Sequence, residues 1–150
     1  MLDQRTFECE WTTIDALARY KHEGHKIELF YFLPNAWLDR AFAAQMDTAV
    51  LDRWWGGRDW SVLRGMPGIA RAQWVARRIK DEFRYASVKP MPIFERQGGT
   101  RVMYFMIHAS DHPEAPRLMA RAYRRAVLPK EAAEQLALEL GTTLDPPKDD

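Results

Sequence analysis

The chain has 150 residues, 47% of them apolar, and a net charge of +1, which is typical of one soluble globular domain. Its longest apolar run, Leu29–Leu33, is too short to cross a bilayer, and Cys9 is the only cysteine, so an internal disulfide is excluded. The first residues do not have the pattern of a signal peptide. These features predict a cytoplasmic protein without a membrane partner.

The N-terminal region begins with what reads as the end of a buried strand, because Leu2-Asp3 is followed at once by a polar turn. A short helix is then predicted from Thr12 to about Tyr20, with Thr12 as N-cap in a capping-box-like pattern and Gly24 as the C-terminal breaker. The residues expected to face inward are Ile14, Leu17 and Ala18.

The segment Lys26–Leu33 (KIELFYFL) is apolar at consecutive positions near its centre, whereas a strand with one wet face would alternate. It therefore predicts a strand covered on both faces by helices. Pro34-Asn35 ends it, and Ala36–Met46 is predicted as a helix. The residues expected to face inward there are Trp37, Phe42 and Ala43.

Residues 52–66 are predicted to be irregular because they contain adjacent glycines and three tryptophans. A long amphipathic helix is predicted from about Pro67, since proline is favoured in the first turn. Its apolar residues recur at helical spacing and define one buried stripe. The stripe consists of Ile69, Ala72, Ala76, Ile79 and Phe83.

Two extended segments follow, Val88–Gln97 and Thr100–Ala109, and Gly98-Gly99 between them predicts a hairpin. The first arm contains Pro90 and Pro92, which indicates an edge strand. The second arm is apolar at successive positions, so we expect it to be central.

The C-terminal region is predicted to hold two helices. The first, Pro113–Val127, is capped by Ser110-Asp111, and the second begins at Pro129 and ends at Gly141. Thr142–Asp150 is predicted to be a disordered acidic tail, which leaves residues 1–141 as a single α/β domain. The residues of the first helix expected to face inward are Leu118, Ala122 and Ala126.

This order predicts a partial Rossmann-like sheet with helices on both faces and a C-terminal antiparallel hairpin. Helices alternate with strands, and the last strand is more buried than the strand before it. The pattern is that of the second half of a doubly wound sheet whose final strand inserts antiparallel between its neighbours. This topology is similar to the C-terminal half of a class I S-adenosylmethionine methyltransferase.

Four sequence blocks also resemble, in the same order, those of the three-Cys-motif partner proteins. The first block is Leu2-Asp3 followed by WTTIDALA from Trp11, and the second is a strand ending at Pro34 with a downstream Asn and Arg. The third is the tryptophan–glycine element that starts at Trp54. The fourth is an apolar strand that runs into a helix through His112-Pro113. The resemblance covers roughly residues 1–125, in a family about twice as long.

The resemblance implies a methyltransferase-like C-terminal fragment that is inactive by itself. The family's glycine-rich loop and cofactor-binding acid belong to an N-terminal half that has no counterpart in this sequence, so no cofactor is expected in this chain. S-adenosylmethionine would be held only after completion by an N-terminal half. The resemblance further implies, as partner, a radical-SAM-like protein bearing three cysteines. The sequence suggests a truncated, split or degenerate enzyme.

Asp3 and Gln4 are the candidate catalytic residues. Asp3 matches the acid that ends the family's fourth strand, which by resemblance accepts a hydrogen bond from a target amine. The proline and glycine that follow this acid in the family are replaced here by Gln4 and Thr6.

The tryptophan-rich loop is the candidate substrate-binding region. Trp54, Trp55 and Trp60, flanked by Arg53 and Arg58, could form a stacking platform for nucleic-acid bases. The alternative is a loop anchored on the helix layer by its aromatic side chains, and the sequence favours this alternative.

The charge distribution supports a second functional hypothesis, a small nucleic-acid-binding module formed by residues 53–125. This segment carries a net charge of +9, whereas residues 1–52 and 126–150 each carry −4. Clustered arginines attract phosphates. The alternative, solvated faces of amphipathic helices, is favoured because these charges lie opposite apolar positions.

A metal site is a weaker candidate. His22 and His25, and His108 and His112, have spacings that zinc sites use, and Cys9 could be a further ligand. Turn polarity and capping explain the same histidines. The acidic neighbours of Cys9 predict a raised thiol pKa, which does not favour a nucleophile.

The predicted sheet also has an exposed edge, which bears on the partners of the chain. Without a fourth strand, the segment Glu28–Leu33 would present an apolar strand edge, an arrangement that natural proteins avoid. We therefore expect either an N-terminal-half polypeptide or self-association through this edge.

Overall fold

The computed structural model describes residues 7–44, 47–95 and 101–126 as a mixed α/β structure. Asp3 and Gln4, the glycine pair of the predicted turn, the last predicted helix and the predicted tail lie outside the described residues. The helices are α1 (Trp11–Arg19), α2 (Asn35–Ala43), α3 (Thr48–Trp55), α4 (Gly68–Phe83) and α5 (Ala115–Ala126), with a 3-10 helix at Asp59–Leu63. The strands are β1 (Leu29–Leu33), β2 (Ser87–Phe94) and β3 (Val102–Ser110).

The three described strands form one sheet in the order β1-β3-β2, with β3 antiparallel to both neighbours. The register places Tyr31 opposite Ile107 on one side of β3, and Pro90 opposite the same residue on the other. The predicted pairing of the two hairpin arms, the central position of β3 and the outer position of the proline-containing strand are confirmed.

Strand β1 corrects one expectation, because its burial alternates along the strand. The residues that point to one side are fully buried together with the apolar residues of α1 to α4, and we call this side of the sheet the helix-covered face. The other side, the second face, is only half-buried at most apolar positions. The buried residues of the helix-covered face are Leu29, Tyr31, Leu33, Phe105, Ile107 and Ala109, and the half-buried apolar residues of the second face are Phe30, Phe32, Met91, Ile93, Tyr104 and Met106.

Helix α1 begins two residues earlier than the predicted cap implies, because its N-cap is Glu10 in place of Thr12. No side chain caps its first turn, so the capping-box prediction is wrong. Early entry into the helix brings Trp11 into the core beside Ile14 and Ala18, while Leu17 packs at its margin.

Two helices replace the predicted single helix and irregular segment between β1 and α4. In α2 the buried residues are Leu38 and Ala41, whereas Trp37 and Phe42 are half-buried and Ala43 is exposed. Helix α3 is an element that the prediction missed. Its start is fixed by the Asp47 side chain, which accepts a hydrogen bond from the Ala49 N–H at 2.9 Å.

Gly56 ends α3 in the left-handed conformation, with φ of 72°. A Cβ atom at this position would lie 2.7 Å from the Trp11 side chain, so a larger residue would separate α3 from α1. The glycine is therefore required both for the turn and for the close approach of these helices.

Helix α4 confirms the predicted stripe at Ala72, Ala76, Ile79 and Phe83, with Ile69 packed at the edge of the core. Helix α5 has a different rotation from the predicted one. Leu118 is 54% exposed and Ala122 is exposed. Ala115 is buried, and the Tyr123 hydroxyl donates a hydrogen bond to the Pro92 carbonyl, which fixes the helix against β2. The side chain of Ala126 lies outside the description.

None of the helices within the described ranges combines the length and the apolarity that a membrane span requires.

Candidate functional site

The three tryptophans of the predicted substrate loop lie in the core. Trp54 and Trp55 are 1% and 0% exposed, and Trp60 is 7% exposed. The indole N–H of Trp55 donates to Asp59 at 2.9 Å, and that of Trp60 donates to Asp52 at 2.8 Å. A base could stack on these rings only if the core opened, so the packing corresponds to the alternative in which the aromatic side chains anchor the segment.

The two arginines of that prediction remain at the surface. Arg53 forms an ion pair with Glu10 at 3.2 Å, with its side chain 57% exposed, and Arg58 is exposed. The structure therefore separates the predicted set into buried rings and exposed cations. Exposed pairs of this kind contribute little to stability.

Arg78, one of the arginines expected on a solvated helix face, instead packs between α4 and the tryptophan side chains. The Arg78 guanidinium lies 4.0 Å from the ring centroid of Trp11 and 4.1 Å from that of Trp55. It also donates to the Trp55 carbonyl at 2.6 Å and pairs with Glu82 at 3.0 Å. Trp11 donates its own indole N–H to the same carboxylate at 2.8 Å. These contacts assign Arg78 a packing role.

The carboxyl end of β1 carries the most completely bonded polar group of the described residues. Arg71 is 1% exposed, on the buried stripe of α4. Its Nη2 pairs with Asp39 at 2.7 Å and donates to the Met66 carbonyl, Nη1 donates to both oxygens of Asn35, and Nε donates to the Leu63 carbonyl. Because an arginine has five N–H donors, none is left for a ligand in this arrangement.

The fit around Arg71 depends on Gly68, the first residue of α4. A Cβ atom there would lie 2.2 Å from the Asn35 amide nitrogen and 3.6 Å from the Phe105 ring. The sequence signal for this site is an arginine at an apolar position of a helical stripe, which indicates a buried partner. Sheets of the doubly wound type bind ligands at the carboxyl ends of parallel strands, but here that end of β1 is closed by protein groups.

The opposite end of the sheet holds a second polar cluster around Asp111. Lys26 pairs with Asp111 at 2.9 Å, and the Ala86 N–H donates to the same carboxylate at 2.8 Å. Burial alone would raise the pKa of Asp111, but the hydrogen bonds from Lys26 and Ala86 outweigh it and hold the pKa below its ordinary value.

Tyr85 belongs to the same cluster. Its hydroxyl donates to the Ile27 carbonyl at 2.6 Å, and the Lys26 ammonium lies 5.3 Å from its ring centroid. Burial, together with the nearby Asp111 charge, raises the pKa of Tyr85 to about 12. A phenol with so high a pKa remains protonated at neutral pH, so it acts as a hydrogen-bond donor that joins the segment before β1 to the end of α4.

The histidines are brought together in a combination that their sequence spacing did not predict. His25 and His112 lie in contact, with ring centroids 5.2 Å apart, while Nε2 of His108 lies 2.7 Å from Glu28. His112 Nδ1 accepts a hydrogen bond from the Glu114 N–H at 3.2 Å. In this arrangement the Nδ1 lone pair of His112 is used by the Glu114 N–H.

Within the described ranges, no group of three or more potential ligand side chains is arranged to hold a metal ion. The pKa of the Cys9 thiol is raised, as predicted, but by burial and not by its acidic neighbours. A shallow depression on α4, lined by Trp74, Arg77, Arg78, Asp81 and Glu82, is open to solvent and contains both charge signs.

Comparison of the chain with models of known protein families, with curated proteins and with solved structures finds no match.

Proposed function

We propose that this chain is the methyltransferase-like C-terminal half of a protein of the three-Cys-motif partner type. The observation that carries the proposal is the strand order. Because β1 and β2 are each antiparallel to β3, they run parallel to one another with the reversed last strand between them. This is the arrangement expected at the C-terminal edge of a class I methyltransferase sheet.

The connection between the two parallel strands supports the same proposal. The chain leaves β1 and returns to β2 through α2, α3 and α4, which is the helical crossover that parallel strands require. Helices α2 and α4 contact the sheet, and the residues of the helix-covered face are buried in one cluster with them.

The second face also supports the proposal. Phe30, Phe32, Tyr104 and Met106 are large apolar side chains that remain half-buried. Doubly wound sheets carry helices on both faces, and their strands are apolar on both. A further helix layer supplied by the N-terminal half of such a protein would account for the composition of this face.

Within this proposal the N-terminal half holds S-adenosylmethionine, and the assembly works beside a radical-SAM-like protein with three cysteines. Asp3 and Gln4 would contribute to the target-amine site, an assignment that depends on the family resemblance alone. The chain itself supplies the C-terminal strands and the helix layer that supports them.

Calorimetry with S-adenosylmethionine tests the proposal. We expect no binding heat from the chain by itself, and binding heat when it is mixed with the N-terminal half of a three-Cys-motif partner protein that is inert when alone. Heat from the isolated chain would contradict the proposed incompleteness and would indicate a stand-alone methyltransferase.

Association through β1 is tested with two matched substitutions. Strand β1 (LFYFL) contains no charge or proline, whereas the outer strand β2 contains Lys89, Pro90 and Pro92, which blunt an edge. Phe30→Lys and Met91→Lys both place a lysine at a half-buried position of the second face, one on each outer strand.

We expect sedimentation velocity at micromolar concentration to detect self-association of the wild-type chain, to show less of it for Phe30→Lys, and to show no change for Met91→Lys. Circular dichroism would verify that both variants are folded. A monodisperse wild-type monomer, in the absence of additives, would remove this part of the proposal.

A further inference from the structure

Helix α5 is the most cationic element of the described chain. Its sequence, APRLMARAYRRA, contains four arginines and no acidic residue. Arginines near the C-terminal end of a helix stabilise it through the helix dipole, and this effect accounts for Arg124 and Arg125. It does not account for Arg117 and Arg121, which lie in the first and middle turns.

Three of these arginines form a row along one exposed side of the helix. Arg117, Arg121 and Arg125 are all exposed and are separated by four residues each, so their stems are spaced by about 6 Å along the helix axis. We call these three residues the arginine row. Leu118, 54% exposed, and the exposed Ala122 lie beside it.

Little charge within the described residues neutralises the row. Arg117 pairs with Glu114 at 2.7 Å, with its side chain still 79% exposed. In the described part of the chain, no carboxylate lies within ion-pair distance of Arg121 or Arg125. Exposed arginines that serve only to solvate a helix are commonly paired with acids three or four residues away on the same face.

We propose that the arginine row binds the phosphate backbone of single-stranded nucleic acid. Guanidinium groups match phosphate oxygens in a bidentate geometry, and a regular row of them is complementary to the regular charges of one strand. A duplex would present phosphates of two strands across a groove. The exposed arginines of the helix lie on one line, with Leu118 on one flank and the half-buried Arg124, which donates to the Ala120 carbonyl at 3.3 Å, on the other.

The arginine row lies in the basic segment 53–125 that the sequence indicated, but outside the tryptophan loop. The tryptophan loop has its rings in the core, and so offers only Arg53 and Arg58 to a nucleic acid. Binding by the arginine row would be electrostatic and independent of base sequence, and it is separate from the methyltransferase-like proposal. The binding constant should therefore fall with rising salt concentration by an amount that the number of phosphate contacts determines.

Fluorescence anisotropy with a labelled single-stranded oligonucleotide of 20 bases provides the test. Three phosphate contacts predict a slope of about −2 for the logarithm of the binding constant against the logarithm of salt concentration. The affinity should therefore fall by about 20-fold between 50 and 200 mM salt.

The decisive comparison uses variants with equal loss of charge. Arg117→Gln/Arg121→Gln/Arg125→Gln should remove most of the binding and bring the slope close to zero. Arg53→Gln/Arg58→Gln/Arg77→Gln removes the same charge from exposed positions elsewhere and should retain the affinity and slope of the wild type. A variant with lysine at all three positions of the row keeps the positive charge and should restore the salt dependence of the binding constant. Its binding would show that the glutamine variant lost affinity through loss of charge and not through misfolding.

Three outcomes would overturn the proposal. The first is equal binding by the wild type and the glutamine variant of the row. The second is a loss of binding in the control variant instead, which would return the site to the tryptophan loop. The third is binding to a duplex or to an oligoglutamate peptide as tight as binding to the single strand, since either would indicate a different partner.

Discussion

The two faces of the sheet have similar compositions and different environments. On the helix-covered face Leu33, Phe105 and Ile107 are at most 1% exposed, whereas Phe32 and Met106 on the second face are half-buried. The comparison shows that apolar residues at consecutive positions of a strand report its composition on both faces. They do not report which of the faces the described residues cover.

The largest effect is expected from a charge placed on each face of the central strand. Ile107→Lys would bury an ammonium group in the helix-covered face and should prevent folding. Met106→Lys, at the neighbouring position on the second face, should fold, because a lysine stem can lie over Phe32 while its charge reaches water. Circular dichroism distinguishes the two outcomes, and failure of both variants would mean that the second face is as closed as the first.

Truncation of the same two residues provides a graded version of that experiment. Ile107→Ala leaves a cavity in a fully buried site and should lower the free energy of unfolding by about 3 kcal/mol. Met106→Ala removes a half-buried side chain and should cost about 1 kcal/mol. Urea denaturation of both variants measures the difference, and equal losses would contradict the contrast between the faces.

The two faces also hold their buried polar side chains in different ways. Arg71, on the side of the helix layer, is enclosed by protein acceptors, whereas His108, on the second face, has a partner, Glu28, whose side chain is 46% exposed. Arg71→Lys should cost about 2 kcal/mol, because an ammonium group cannot reach all of the carbonyls that the guanidinium satisfies.

Glu28→Gln is the matched change on the second face, and it should cost less than about 1 kcal/mol, since the amide can preserve the hydrogen bond and the site is open to water. Thermal unfolding of both variants is the measurement. A larger loss for Glu28→Gln than for Arg71→Lys would reverse the order that burial predicts.

The strand end that both faces share gives an effect that depends on pH. Asp111→Asn removes the charge that Lys26 and the Ala86 N–H recognise, and should cost about 1 kcal/mol at neutral pH. Because the pKa of Asp111 is lowered by folding, its contribution is present above the ordinary aspartate pKa of about 3.9 and is lost as the pH falls through the folded value.

The difference in stability between the wild type and Asp111→Asn should therefore be constant from pH 7 to about pH 5 and should shrink below that range. Chemical denaturation at a series of pH values tests this. A difference that grew on acidification would contradict the direction of the pKa shift.

Local signals predicted several elements well. The stripe of α4 is long enough for its period to be unambiguous, and Pro90 and Pro92 excluded β2 from the centre of the sheet because proline removes a ladder donor. Helix α3 was missed although its signals, Asp47 at the N-cap and Gly56 after the last turn, were present. The three tryptophans and the adjacent glycines instead led to the prediction of an irregular segment at residues 52–66.

The exposure and burial of the residues in the predicted substrate-binding loop were harder to infer from the sequence. The exposed positions of Arg53 and Arg58 follow from their charge. The burial of Trp55 depends on contact with Trp11, and that of Trp54 on contact with Phe7, each more than 40 residues away in the chain. The rotation of α5 likewise depends on Tyr123 reaching the Pro92 carbonyl, a contact that no local pattern contains.

The sequence by itself determined the alternation of helices and strands, the outer position of the strand with two prolines, and the apolar character of β1 on both faces. These features depend on short-range chemistry: the side-chain period, the missing N–H of proline and the preferences of caps. Tertiary structure alone decided which face the helices cover, that Arg71 is enclosed at the end of β1, and that α5 presents its arginines outward. Each of these depends on residues distant in the chain competing for the same buried space.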